Sequence, residues 1–102
     1  MKMLVVMSVK EDLQKVRLIF EKAEVTVFSV SDTTGYSTLN TGDLLNNWFA
    51  SGKEKTEALF FFSFTEEDSA AKVLKGVVLY NNEKQRMFPI RAFLLPVEKS
   101  SY

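Results

Sequence analysis

Three basic side chains, Lys84, Arg86 and Arg91, fall close together near the end of the chain. Two arginines within reach of each other can grip a phosphate or carboxylate bidentately, so this cluster is a candidate anion site. A solvated basic turn following a helix is the plainer use of the same residues. Four carboxylates, Asp32, Asp43, Glu54 and Glu57, have the chemistry to ligate a hard cation or to form an acid-base pair. Their spacing matches no EF-hand-like loop, which favours ordinary surface carboxylates and assigns no metal site. Leu44, Leu45, Trp48 and Phe49 are grouped as Leu44-Leu45-Asn46-Asn47-Trp48-Phe49, the spacing of a short amphipathic turn. Tryptophan is enriched among the anchors of protein interfaces, so this turn is a candidate partner-binding surface. The four methionines form no Met-x-x-Met series and read as packing residues.

The chain contains no cysteine and no histidine. Disulfides, thiol nucleophiles, Ser-His-Asp and Cys-His arrangements, and imidazole or thiolate ligation of zinc, haem or iron-sulfur are therefore excluded. Thirteen basic and thirteen acidic side chains give a net charge of zero, so no overall attraction to nucleic acid is expected. With 102 residues, 46% hydrophobic and 25% charged, the composition is that of one globular domain spanning 1–102. The apolar start, Met3 to Val9, is too short to span a bilayer and runs into Lys10-Glu11-Asp12 without a cleavage site, which gives a cytoplasmic expectation.

These residues need elements to hold them. Met3 to Val9 is a near-continuous β-branched apolar run, the pattern of a strand buried on both faces. From Lys10 to Ala23 the period changes, with Leu13, Val16, Phe20 and Ala23 marking one face of an amphipathic helix. Glu24 to Ser31 reads as a second strand. Thr33 to Lys55 has no clear period and carries Gly35, Gly42 and Gly52, so it reads as a long flexible loop, of a length usually reserved for function. Thr56 to Phe64 is a third strand. Thr65-Glu66-Glu67-Asp68 then opens a second helix with a Thr N-cap and dipole-favoured acids. Its buried stripe is Ala70, Val73, Leu74, Val77 and Val78, and it ends near Asn81-Asn82. Phe88 to Val97 is a fourth strand, with Pro89 and Pro96 at its ends.

This βαββαβ order specifies an α+β ferredoxin-like fold, a four-stranded antiparallel sheet with both helices on one face. The other face would meet water, yet no strand register makes it polar. Leu59, Phe61 and Ser63 alternate with Phe60, Phe62 and Phe64, Met3, Val5, Met7 and Val9 with Leu4 and Val6, and Ile90, Ala92 and Leu94 with Phe93 and Leu95. An apolar face of that extent exceeds what monomers tolerate, so sheet-to-sheet association is the physical expectation.

Three segments then carry a resemblance. Leu13-Gln14-Lys15-Val16-Arg17-Leu18-Ile19-Phe20 is similar to an L-x-x-V-R-x-x-L stretch of the PII-like signal-transduction proteins, relatives of the nitrogen regulatory protein PII. Phe28-Ser29-Val30-Ser31-Asp32-Thr33-Thr34-Gly35-Tyr36-Ser37 resembles the family's L-T-V-T-E-V-K-G-F-G, and Phe93-Leu94-Leu95-Pro96-Val97-Glu98 resembles its F-V-L-P-V-E. The segments keep the family's order, with a long loop in the same place. The resemblance implies a non-enzymatic, trimeric regulator that binds adenine nucleotides in clefts between subunits. It also implies that the loop docks on a target, a membrane transporter or an enzyme. Ser31 and Gly35 match positions near the family's adenine and phosphate groups, and Arg91 falls where the family places a phosphate-binding lysine.

The sequence departs from this pattern where the phosphates would sit. The family's T-G-x-x-G-D-G-K cradle uses glycines to bring backbone N–H groups close to an anion. Here Asn82 to Arg91 contains no glycine, so weak or absent nucleotide binding is expected, with Arg86 and Arg91 left to meet any anion. Two other classes weigh against the regulator. A cofactor-less enzyme or sequestering protein of the dimeric α+β barrel type would also bury an open sheet face, but usually needs a polar pocket there. RNA binding on an aromatic sheet would need basic residues interleaved with the aromatics.

Overall fold

The apolar run at the N-terminus forms β1 (Lys2–Ser8), and the period change after it produces a 3-10 turn (Lys10–Asp12) leading into α1 (Leu13–Lys22). The remaining elements are β2 (Ser29–Tyr36), β3 (Lys55–Thr65), α2 (Glu67–Glu83) and β4 (Arg91–Pro96). This computed structural model describes residues 1–36, 55–83 and 87–101. The sheet is antiparallel in the order β2-β3-β1-β4, with both helices packed on one face, the expected ferredoxin-like plan.

Alternation sorts each strand into two faces. On the helix side, Leu4, Val6 and Phe61 are completely buried, Leu59 and Ser63 nearly so, and they pack under Val16, Ile19 and Phe20 of α1 and Ala70, Val73 and Val77 of α2. Three rings lock this core: Phe20 meets Phe28 edge-on at 4.8 Å between centroids and Phe61 at 5.8 Å. Edge-to-face geometry aims the positive rim of one ring at the negative face of the other. Val78, placed by its spacing on the buried stripe, is instead 55% exposed, one position beyond the face that Val77 closes.

Four boundaries differ from the sequence-based expectation, each for a reason visible in the hydrogen bonding. Glu24 takes φ 63, and the N–H of Val25 returns to Phe20 O at 2.9 Å, so Glu24 and Val25 cap the helix, Val25 tucks into the core, and residues 24–28 connect to β2 rather than form a strand. Ser63 then donates its hydroxyl to Val27 O at 2.7 Å, fixing that connection to β3. Strand β2 begins only at Ser29 and continues through Thr33, Thr34 and Gly35 to Tyr36 opposite Lys55, so both ends of the expected 33–55 loop are strand. The rest of that span, 37–54, lies outside the described residues. Thr65 is paired with Lys2 in the sheet and is not the N-cap of α2; Glu66 O accepts the Ala70 N–H in its place.

The fourth boundary concerns β4. Asn81, on the last turn of α2, donates Nδ2 to Ile90 O at 2.8 Å and accepts the Ile90 N–H on Oδ1 at 3.0 Å. Both backbone groups of Ile90 are thereby consumed by a side chain, so the ladder to β1 starts at Arg91.

Candidate functional site

The face turned away from the helices carries three of the singled-out residues, Ser31, Gly35 and Arg91. Register places it as rows across the sheet: Phe62, Val5 and Phe93 in one, Phe64, Met3 and Leu95 in the next. Phe64, Phe93 and Leu95 are 52%, 39% and 42% exposed, while Met3, Val5, Met7, Phe60 and Phe62 are half-buried by one another. Phe60 and Phe62 lie with ring centroids 6.0 Å apart. Three of the four strands thus present a continuous apolar surface, while Ser29, Ser31 and Thr33 of β2 and Arg91 at the start of β4 add polar groups at its edges.

A third row carries the candidate ligand residues. Ser31 stands opposite Phe60, Phe60 opposite Met7, and Met7 opposite Arg91. Ser31 and Arg91 therefore share a face and a row but occupy opposite edges, three strand spacings or about 14 Å apart. Gly35 lies on the same face further along β2, opposite Thr56. One subunit does not bring Ser31 and Gly35 together with Arg91.

Arg91 has a further property. Its Nε is buried and has no hydrogen-bond partner. A guanidinium stays protonated and has no acceptor of its own, so this donor must find an oxygen from elsewhere or leave its desolvation unrepaid, at about 1–3 kcal/mol. The Asn81 grip on Ile90 fixes the backbone immediately before Arg91 and so sets where this side chain leaves the sheet. Sequence reasoning took Asn81 only as a helix end. The signal it offered was an amide side chain on the last turn, ahead of a proline-marked strand start whose first backbone groups lacked a ladder partner.

The other expected site residues are placed as follows. Arg86, Leu44, Leu45, Trp48 and Phe49 lie outside the described residues, as do Lys84, Asp43 and Glu54. Asp32 is on the helix-side face of β2, 3.6 Å from Lys10 Nζ, and Glu57 is exposed on β3 opposite Thr34. Among the described residues no group of three or more Asp or Glu side chains is gathered as a metal site, and no helix is long and apolar enough to cross a membrane.

Comparison with solved structures finds the same architecture in a DUF3240 family protein from Shewanella baltica OS155. It superposes with a TM-score of 0.65 at 15% sequence identity, over 99% of this chain and 93% of that chain. At that identity the likeness establishes the fold. No family model and no curated protein matches the sequence.

Proposed function

We propose that this chain is a non-enzymatic regulatory module of the PII-like kind, a homotrimer that senses a small anionic ligand between subunits and acts on a partner protein. The observation that supports it best is the open sheet face: an apolar surface on three strands, bordered at one edge by an arginine with an unpartnered buried donor. Association of sheets removes that surface from water. It also brings the β4 edge of one subunit toward the β2 edge of another, so that Arg91 meets the neighbour's Ser31 and Gly35 in a cleft. The anion supplies the acceptor that Arg91 Nε lacks. The 37–54 span, with Leu44, Leu45, Trp48 and Phe49, leaves the sheet from the end of β2 and is the surface assigned to the partner, a membrane transporter or an enzyme.

Adenine nucleotides bind this cleft weakly or not at all, because the stretch before β4 has no glycine to let backbone donors converge on phosphate. A site made chiefly of arginine charge is loose and salt-sensitive. Light scattering with calorimetry tests the reading. A mass three times the 11.6 kDa chain together with anion binding lost in Arg91→Ala is the expected result. A stable monomer at micromolar concentration overturns it, and a dimer redirects it to the α+β barrel type.

A further inference from the structure

On the opposite side of the molecule, α1 and α2 leave a groove between them with a volume of about 320 Å³. Ile19, Ala23, Gly76 and Leu79 supply its apolar part, and Lys15, Lys22 and Lys72 stand around it with Glu83 as the single carboxylate. Gly76 of α2 lies against Ile19 of α1: a Cβ at that position would lie 3.0 Å from Ile19 Cγ2, so glycine lets the two helices approach closely there. In a chain of zero net charge, three lysines against one glutamate is a local excess of positive charge.

Among the described residues, Lys15, Lys22 and Lys72 form no ion pair. The ion pairs among the described residues are Lys2 with Glu67 and Lys10 with Asp32, and neither involves the groove. Lys15 Nζ instead sits 4.9 Å from the centre of the Tyr80 ring, and Tyr80 donates its hydroxyl to Asp12 at 2.9 Å. The ring face holds the Lys15 ammonium in place without cancelling its charge, at the Tyr80 end of the groove. Lys72 and Lys22 are exposed on the two helices that form the walls.

We propose that this groove is a binding site for a small amphipathic anion, a carboxylate carried on an aliphatic body. The headgroup is held by Lys22 and Lys72 and the chain lies against Ile19, Ala23 and Leu79. The volume is at the small end of the range for ligand pockets, about 300–1,000 Å³, which suits one short acyl chain and not a nucleotide. Apolar contact supplies affinity and the ammonium groups select the sign of the charge. The site lies across the sheet from the open face, so it neither requires nor excludes a trimer.

Two-dimensional NMR titration with octanoate, octylammonium and inorganic phosphate decides the matter. Octanoate should give saturable shifts at residues of α1 and α2 around Ile19 and Gly76, with no such response to octylammonium. Phosphate alone should bind far more weakly. The Lys22→Gln/Lys72→Gln pair, two exposed side chains, should weaken octanoate roughly tenfold. Equal response to octanoate and octylammonium overturns the charge selection. Equal affinity for phosphate and octanoate overturns the apolar half. No shift in the helices, or unchanged affinity in the double variant, overturns the site.

Discussion

At the scale of single residues, three side chains do more than their types suggest. Asn81 replaces two ladder hydrogen bonds at Ile90, and its truncation strands both backbone groups of a residue that is 1% exposed. Asn81→Ala should therefore cost about 1–3 kcal/mol in urea unfolding, with hydrogen exchange at β4 accelerated more than at β1. Ser63 is a polar residue buried in the core because its hydroxyl has a partner in Val27 O. Ser63→Ala keeps the volume but orphans that carbonyl, with an expected loss of about 1 kcal/mol. Arg91 is the opposite case, since its Nε satisfies nothing within the chain. Arg91→Ala should leave thermal stability nearly unchanged while abolishing any anion binding at the sheet edge, measured by calorimetry. A large drop in stability would assign it a packing role instead.

Among the elements, legibility in the sequence followed side-chain burial. Strands β1, β3 and β4 and both helices bury apolar residues at regular spacing, and alternation alone assigned Leu59, Phe61 and Ser63 to one face and Phe60, Phe62 and Phe64 to the other, as found. Strand β2 was misplaced because it is an edge strand held by backbone pairing to β3, and its residues Ser31 to Thr34 bury little. Backbone hydrogen bonds leave no trace in residue type, whereas Val25 and Val27 imitate a strand while lying in the connection after α1. Of the candidate site, Arg91, Ser31 and Gly35 could be named from sequence, but their common face could be known only from register. The two faces of β3 make separable predictions. Phe61→Ala opens the helix-side core and should cost about 3–5 kcal/mol. Phe62→Asp, in the middle of the open face, should keep native circular dichroism and yield monomers by light scattering. If Phe62→Asp instead remains trimeric, assembly uses another surface.

The whole molecule is a sheet clothed on one side, and its two sides differ: a helix-covered face that makes the fold, with a lysine-lined groove on its outer surface, and a bare apolar face that the proposed assembly would cover. The positions of Ser31 and Arg91, at opposite edges of one row, set a condition on sensing that neither residue imposes alone. A ligand that must touch both is a linker between polypeptides, and its binding free energy is shared with theirs. In the proposed trimer, each ligand bound would tighten the assembly by mass action, and each step of assembly would raise ligand affinity by the same factor. Apparent affinity would then rise with protein concentration, and dilution should release ligand without any change in its own supply. Through about 14 Å of sheet, the abundance of the chain itself would become one of the quantities such a trimer reports.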